Sequence, residues 1–234
     1  MSAATFHFSA GLDFFLPHAK RGGAIPCTFQ GRQSIKHLIE SLGIPHTEVG
    51  EILVNGRSVT LGHITQDGDQ VEAHPAPPGC PIAPRFLLDN HLGRLASHLR
   101  MLGFDCLYRN DYTDAELVEL TCKEERILLS RDRRLLMHKV IQYGYCPRSL
   151  DPQEQLIEVV RRFLLAEKIA PFRRCLRCNH PLEPVSKEAV LDRLEPLTKK
   201  YFDEFHICPA CDQVYWKGSH YARMQKLIEK ASAQ

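Results

Sequence analysis

The chain has 234 residues, of which 44% are hydrophobic and 25% are charged, and its formal net charge at pH 7 is +2. This composition is typical of a globular protein of one or two domains, and the small net charge gives no sign of a strongly basic nucleic-acid-binding chain. No apolar run approaches the roughly 20 residues that a membrane span needs, so we expect no membrane association. The first residues lack a basic segment followed by a long apolar run, and we therefore predict no signal peptide and a cytoplasmic location.

Residues 1–80 predict a small β-rich domain. Ser34 is a candidate N-cap for a helix over residues 34–42, whose apolar positions fall at helical spacing. Asn55 and Gly56 form the dipeptide most typical of a tight hairpin turn and lie between two predicted strands. The element order, two strands, one helix and three strands, fits a β-grasp domain. The predicted strands include residues 5–8, 51–54, 57–59 and 70–73.

Two turns of this domain resemble those of ubiquitin-like sulfur-carrier proteins. Those carriers end in a Gly-Gly tail that is activated as a thiocarboxylate. The corresponding end here, residues 74–81, lacks that tail and runs into a stretch with five prolines between residues 75 and 84. Such a stretch predicts a semi-rigid linker and a domain boundary. We therefore expect this domain to dock a protein partner rather than to carry sulfur.

Residues 85–170 alternate between short apolar strands and helical segments, which predicts a parallel sheet flanked by helices. Two strands lead into an aspartate, Asp89 directly and Asp132 after a Ser-Arg dipeptide, and Asp114 lies near the start of a helix between them. Because ligands bind at the carboxyl ends of strands in open α/β sheets, these carboxylates predict a common site. Carboxylate oxygens are the ligands that Mg²⁺ and Mn²⁺ prefer.

Several of the acids also have a structural explanation. Asp89 would serve as an N-cap, and Asp114 sits in a first helical turn, where the helix dipole stabilises a carboxylate in any case. Asp111 is a candidate fourth ligand or a solvated loop residue. Asp151, followed by Pro152, is most simply a helix cap.

Basic side chains lie close to the acids in sequence. Arg131 would pair with the adjacent Asp132 or contact a phosphate. Arg94, His98 and Arg100 share one helix and are expected to form a solvated face.

Residues 171–234 contain two Cys-x-x-Cys pairs that predict a zinc ribbon. Four thiolates in two such pairs make a closed, tetrahedral structural zinc site. The wide separation of the pairs predicts an inserted helix over residues 186–194. His180 and His206 lie close by but are not expected to be ligands. The predicted zinc ligands are Cys175, Cys178, Cys208 and Cys211.

Aromatic and basic residues interleave over residues 214–221, after the second cysteine pair. Such interleaving is typical of surfaces that stack bases and contact phosphates. Packing of Trp216 against the zinc site explains the same pattern equally well. His220 would assist catalysis if the ribbon folded over the acids.

Together these motifs resemble the Mut-seven C-terminal RNase family, which is similar to PIN-domain nucleases with an attached zinc ribbon. The resemblance covers about residues 85–229, and some members carry a ubiquitin-like N-terminal module. It rests on Leu88-Asp89, Leu92-Gly93-Arg94-Leu95-Ala96, Leu99-Arg100-x-Leu102-Gly103-Phe104-Asp105, Ile127-Leu128-Leu129-Ser130-Arg131-Asp132, Glu154-Gln155-Leu156, Arg174-Cys175-Leu176-Arg177-Cys178-Asn179 and Tyr215-Trp216-Lys217-Gly218-Ser219-His220-Tyr221.

The resemblance implies a metal-dependent endoribonuclease with catalytic Mg²⁺ or Mn²⁺ at Asp89, Asp114 and Asp132 and a structural zinc ion. The implied domains are a ubiquitin-like β-grasp domain at residues 1–80, a PIN-like RNase domain at residues 85–170 and a zinc ribbon, residues 171–234, closely associated with it. The candidate RNA contacts are Arg94, Arg131, Lys217 and His220.

Two other functions are open at this stage. A non-catalytic RNA- or ribosome-binding adaptor would keep the PIN-like scaffold without using its acids. A sulfur-transfer or partner-docking protein would depend on the N-terminal domain, although the missing Gly-Gly tail speaks against the carrier form.

Overall fold

The computed structural model describes residues 1–233. No helix within this range is long and apolar enough to cross a membrane. The strands are Ser2–Phe8 (β1), Ile25–Phe29 (β2), Val49–Val54 (β3), Arg57–Val59 (β4), Gln70–Pro75 (β5), Arg85–Leu88 (β6), Asp105–Tyr108 (β7), Ile127–Leu129 (β8), Gly144–Tyr145 (β9), Glu183–Val185 (β10), Phe205–Ile207 (β11) and Val214–Trp216 (β12). The α-helices are Ile35–Ser41 (α1), Gly93–Met101 (α2), Asp114–Lys123 (α3), Arg133–Leu136 (α4), Pro152–Arg162 (α5), Lys187–Val190 (α6), Pro196–Tyr201 (α7) and Tyr221–Ser232 (α8).

The chain forms two compact units, and each takes two separate segments of the sequence. The first unit contains Met1–Pro78 and Asp114–Arg148. The second contains Gly79–Thr113 and the chain from Ser149 onward. The first crossing from one unit to the other falls in the proline-rich stretch that the sequence marks as a linker.

Five strands of the first unit form a β-grasp sheet, as predicted. Their order is β2-β1-β5-β3-β4, with β1 and β5 parallel at the centre and the other pairs antiparallel. Helix α1 buries Ile35, Leu38 and Ile39. Ser34 caps it as expected, because its hydroxyl accepts a hydrogen bond of 3.2 Å from the backbone N–H of His37.

The hairpin between β3 and β4 also forms as predicted. Asn55 and Gly56 have φ values of 50° and 77°, and a two-residue hairpin turn of this type needs both residues in the left-handed region. The Asn55 side chain donates to the buried Asp69 at 2.8 Å and accepts from the backbone N–H of Gln70 at 2.9 Å. These bonds tie the hairpin to the start of β5.

The second segment of this unit packs against the β-grasp residues. Strands β8 and β9 pair in parallel, and helix α3 packs on β8. A ring nitrogen of His46 lies 2.8 Å from the carbonyl oxygen of Ile141, and Arg133 donates to the carbonyl oxygen of Phe15 at 2.7 Å. Residues 1–78 therefore make specific contacts with a segment that the sequence assigns to the RNase domain.

The α/β part of the second unit is built on the parallel pair β6 and β7, with helices α2 and α5 packed together. Phe86 of β6 is fully buried, and its ring centroid lies 6.2 Å from that of Phe104 and 5.6 Å from that of Phe163. Burying one such ring stabilises the fold by roughly 1.5–3 kcal/mol. Parallel strands flanked by helices confirm the predicted fold class.

Gly103 follows the C-terminal end of helix α2. Its φ is +95°, a conformation that L side chains rarely adopt. A Cβ at this position would also collide with the carbonyl oxygen of Ala170. The close approach lets the backbone N–H of Ala170 donate to the carbonyl oxygen of Leu102 at 2.9 Å, which fixes the chain on its way into the ribbon.

The ribbon in the second unit has an antiparallel sheet of order β10-β11-β12. The insertion between its cysteine pairs contains the predicted helix as α6, followed by a short 3-10 turn, with Ser186 as N-cap. A second helix, α7, follows and was not predicted. The small core of the ribbon consists of Val190, Leu194, Phe205 and Val214.

Candidate functional site

Asp89 follows β6 directly and begins a 3-10 turn over Asn90–Leu92. Its Oδ1 accepts a hydrogen bond of 2.6 Å from the backbone N–H of Asn90, and its Oδ2 lies 3.4 Å from Nδ1 of His91. The residue is only 6% exposed. Asp89 therefore has the N-cap role expected for it, and its Oδ2 faces the imidazole of His91.

Tyr108 and Gly93 shape the turn that holds Asp89. The Tyr108 hydroxyl donates to the carbonyl oxygen of Asn90 at 2.8 Å. Its ring lies so close to Gly93 that a Cβ there would be 2.7 Å from the ring carbon that bears the hydroxyl. A glycine at this point lets the tyrosine clamp the turn.

Asp132 is the N-cap of helix α4. Its Oδ1 accepts hydrogen bonds from the backbone N–H groups of Arg134 at 2.7 Å and Leu135 at 3.3 Å. Its own N–H donates to the hydroxyl of the buried Ser130 at 2.9 Å. The side chain is exposed, and among residues 1–233 its second oxygen has no hydrogen-bond partner.

Asp114 and Asp111 differ in how their carboxylates are engaged. Asp114 is the first residue of α3 and is exposed. Asp111 is bound at both oxygens by Arg109, each at 2.9 Å. The hydrogen bond from Arg109 holds the pKa of Asp111 below its usual value. This guanidinium would compete with a cation, which makes Asp111 a poor candidate for a fourth ligand.

The predicted acids are divided between the two compact units. Asp89 belongs to the second unit, and Asp114 and Asp132 belong to the first. Their joint use as ligands of one divalent metal ion stays a prediction.

The basic candidates lie in different surroundings. Arg94 is exposed on α2, Arg131 is half-buried and His220 is exposed before α8. Lys217 is exposed but forms an ion pair of 2.6 Å with Glu204, which raises the pKa of Lys217 and lowers that of Glu204.

The four predicted zinc cysteines come together in the ribbon. The sulfur atoms of Cys175, Cys178, Cys208 and Cys211 all lie within 4.8 Å of one another. Tetrahedral zinc with Zn–S bonds of about 2.3 Å separates its sulfur ligands by about 3.8 Å, so the arrangement fits this ion. The cluster contains neither His180 nor His206.

Two tight turns bring these cysteines together. The backbone N–H of Cys178 donates to the Cys175 sulfur at 3.4 Å. Asn179 and Asp212, which follow the two cysteine pairs, have φ values of 74° and 58°. Asparagine and aspartate tolerate this left-handed conformation better than other side chains.

Tyr215 is the aromatic residue that contacts the cysteines. Its hydroxyl lies 3.1 Å from the Cys175 sulfur and accepts from the backbone N–H of Leu176 at the same distance. Burial raises the pKa of Cys175, but hydrogen bonds from Tyr215 and from backbone N–H groups outweigh it and lower that pKa to about 6. Trp216 instead lies with its ring centroid 6.4 Å from that of Phe205 and is 38% exposed.

Arg100 corrects the expectation of a solvated face on α2. It is 3% exposed and donates to the carbonyl oxygens of Cys106 at 2.9 Å, Leu176 at 3.1 Å and Arg177 at 3.0 Å. The guanidinium is thus buried inside the second unit, where three carbonyl oxygens take the place of the water molecules that would otherwise bind it. His98, on the same helix, is half-buried, and this burial lowers the pKa of its imidazole. Arg94 alone among the three is exposed.

Asn179 makes the second link between the first cysteine pair and the α/β part of the unit. Its Oδ1 accepts from the backbone N–H of Cys106 at 2.9 Å, and its Nδ2 donates to Asp105 at 2.8 Å. Sequence reasoning missed these roles. The only local signal for them is that Asn179 immediately follows Cys178, a predicted zinc ligand.

Comparison with family models gives two matches that together span most of the chain. The model described as the Mut7-C RNAse domain matches residues 84–228, and the model described as Mut7-C ubiquitin matches residues 1–78. No curated protein matches the chain. No solved structure matches it either. The chain therefore belongs to the Mut7-C RNAse family and carries that family's ubiquitin-like domain ahead of the RNAse domain.

Proposed function

We propose that the protein is a metal-dependent endoribonuclease that hydrolyses RNA phosphodiester bonds. The observation that carries this proposal is the match to the RNAse domain over residues 84–228, which include Asp89, Asp114, Asp132 and the four clustered cysteines.

The local settings of the acids support a metal-binding role. Asp89 follows a buried strand, and Asp132 keeps one carboxylate oxygen without a hydrogen-bond partner among the described residues. Asp114 is exposed at the start of a helix. Three carboxylates form the oxygen-rich donor set that suits Mg²⁺ or Mn²⁺, so the chemistry of these residues fits such an ion.

A divalent ion bound by these carboxylates would lower the pKa of a water molecule and stabilise the negative charge that develops on the phosphate. In the proposed reaction the water oxygen forms a bond to phosphorus, and the bond from phosphorus to a ribose oxygen breaks. The leaving ribose oxygen gains a proton. Arg94 and Arg131 are the proposed phosphate contacts beside the acids, and Lys217 and His220 are those on the ribbon.

The four cysteines are proposed to hold a structural zinc ion. A closed Cys₄ site leaves no open position for a substrate, so this ion would stabilise the ribbon and take no part in hydrolysis. Residues 171–234 would then act as a zinc ribbon attached to a PIN-like domain at residues 85–170.

We propose a supporting role for the ubiquitin-like domain, residues 1–80. The surface formed by His46 and Phe15 is already occupied by contacts with Ile141 and Arg133. A protein partner would therefore bind elsewhere on this domain. The absence of a membrane-spanning helix from residues 1–233 accords with a cytoplasmic location, which is likewise part of the proposal.

The nuclease is tested by incubating the zinc-loaded protein with mixed RNAs, with and without Mn²⁺, beside Asp132→Asn. Asparagine caps helices as well as aspartate does, so this change keeps the cap of α4 and removes the charge. Asp151→Asn is the matched control, because Asp151 caps α5 through the same pair of backbone bonds, at 2.9 and 3.0 Å. We expect Mn²⁺-dependent cleavage by the wild type and the control, and loss of cleavage in Asp132→Asn.

A non-catalytic RNA-binding adaptor is the second candidate. The observation that favours it is that Asp89 and Asp132 both accept backbone hydrogen bonds, which would account for these acids without any metal. It predicts RNA binding without cleavage in the experiment above, unchanged in Asp132→Asn.

A further inference from the structure

An open groove lies on the ribbon between helix α7 and the chain that leads into α8. Its volume is about 590 Å³. We call it the aromatic groove, and its defining residues are Leu197, Tyr201, Trp216, His220 and Tyr221.

The aromatic groove presents several large apolar and aromatic side chains to solvent. Leu197 is 70% exposed, Tyr201 63% and Trp216 38%. Side chains of this size are normally buried, and a cluster of them on a surface usually marks an interaction site. The lining contains no acidic residue.

The charges around the aromatic groove favour an anionic ligand. Three acidic residues near it are each held in an ion pair, Asp203 with Lys187 at 2.8 Å, Glu204 with Lys217 at 2.6 Å and Asp212 with Arg193 at 3.0 Å.

Several nearby basic residues, in contrast, have no acidic partner within residues 1–233. They are Lys199 and Lys200 on α7 and Arg223 and Lys226 on α8. The Lys200 ammonium group lies 5.2 Å from the centroid of the Tyr201 ring, so a positive charge stands beside the most exposed aromatic face.

We propose that the aromatic groove binds an unpaired segment of RNA, whose bases stack on Tyr201 and Trp216 while Lys199 and Lys200 contact its phosphates. Exposed rings beside unpaired lysines are the combination that binds single strands, because every base has a flat face and every nucleotide carries a phosphate. A duplex hides the faces of its bases, so it would be bound much more weakly at this surface. This inference rests on the proposed function for its setting and names the substrate class as unpaired RNA.

Trp216 gives a direct readout, because it is the only tryptophan in the chain. The experiment titrates zinc-loaded full-length protein with unlabelled oligouridine, without Mg²⁺ or Mn²⁺, and follows tryptophan emission. A duplex of equal length is titrated in parallel. We expect saturable quenching by the single strand and at least tenfold weaker binding of the duplex. RNA binding, seen by anisotropy of a labelled strand, that leaves Trp216 emission unchanged would overturn the proposal.

Two pairs of variants distinguish the contributions of base stacking and of lysine charge from the general effect of a substitution on RNA binding. Tyr201→Ala should weaken single-strand binding about tenfold, whereas Leu191→Ala, at an exposed apolar residue outside the lining, should not. Lys199→Gln with Lys200→Gln should reduce the slope of log affinity against log salt by about 0.7 for each lysine, and Lys187→Gln should leave it nearly unchanged. Unaltered affinity in Tyr201→Ala would contradict the stacking model.

The outcomes also distinguish this inference from the proposed function. Asp132→Asn should bind single strands and quench as the wild type does, although it should not cleave them. Quenching with no cleavage by any protein would contradict the nuclease and leave the groove proposal standing. Cleavage of RNA by a protein whose Trp216 emission never changes would contradict the groove proposal and leave the nuclease standing.

Discussion

The carboxylate of Glu48 and the guanidinium of Arg148, 100 residues apart in the chain, form a double hydrogen bond inside the first compact unit. The two N···O distances are 3.0 and 2.8 Å, and Glu48 is only 3% exposed. Glu48 also accepts from the backbone N–H of Cys146 at 2.6 Å. Burial lowers the pKa of Arg148, but the hydrogen bonds and charge of Glu48 outweigh it and raise that pKa. The ubiquitin-like part of the chain is therefore locked to residues 114–148 by a buried ion pair.

We expect Glu48→Ala to lower the free energy of unfolding by about 3 kcal/mol. The change leaves the half-buried guanidinium of Arg148 and the buried backbone N–H of Cys146 without the carboxylate that accepts their hydrogen bonds. Urea unfolding followed by circular dichroism measures the change. Glu51→Gln, at an exposed strand position of the same sheet, is the control and should unfold as the wild type does. Equal midpoints for Glu48→Ala and the control would show that the ion pair does not stabilise the unit.

Deletion of residues 1–78 should not leave an intact nuclease. Arg148 would lose Glu48, Arg133 would lose the Phe15 carbonyl, and the carbonyl oxygen of Ile141 would lose the imidazole of His46. We expect the truncated protein to be more sensitive to protease within residues 114–148 than the full chain is. Limited proteolysis with mass spectrometry tests this, and an equally resistant fragment would mean that the ubiquitin-like domain is only appended.

Arg100→Met should loosen the zinc site. The change removes the hydrogen bonds that hold the carbonyl oxygens of Leu176 and Arg177, which lie between the proposed zinc ligands Cys175 and Cys178. Partners behind metal ligands typically contribute 10- to 100-fold to metal affinity, so we expect a loss of at least about tenfold. Competition with a chromophoric zinc chelator measures it. Arg94→Met, on the exposed part of the same helix, should retain zinc like the wild type, and identical affinities for both variants would contradict this account.

Cysteine reactivity should follow burial. Cys122 is exposed, whereas Cys146 is 2% exposed and burial raises its pKa to about 11. At pH 8 about one Cys146 in a thousand would be the thiolate that alkylating reagents attack. Iodoacetamide treatment of the zinc-loaded protein, followed by peptide mass spectrometry, should modify Cys122 and spare Cys146. Similar labelling of both residues would contradict the burial of Cys146.

Local signals in the sequence specify much of the fold. The Asn55-Gly56 turn, the Ser34 and Asp151 caps and the cysteine pairs all act over a few residues, and each forms as predicted. Strand β9, in contrast, has only two residues, which are too few to form the apolar or alternating pattern that predicts a strand.

Long-range partners could not be predicted in the same way. Arg100 looks like any charged residue on a helix until the backbone carbonyls of Leu176 and Arg177 arrive beside it, 76 and 77 residues later. The pairing of Glu48 with Arg148 could not be predicted for the same reason, since neither residue has a local feature that indicates its partner. At the candidate site, the sequence indicated the cap at Asp89 but not the cap at Asp132, and it contained no sign that Arg109 would occupy both oxygens of Asp111.

The most direct test of the central claim is the chemistry of the RNA product ends. Single-turnover cleavage of a defined unpaired RNA with Mn²⁺ would be analysed by mass spectrometry for the wild type and for Asp89→Asn with Asp132→Asn. Hydrolysis by water at a carboxylate-bound ion predicts linear phosphate ends that carry one solvent oxygen, made by the wild type alone. Products with 2′,3′-cyclic phosphate ends, or cleavage that persists without Mn²⁺ or in the double variant, would contradict the proposed metal site.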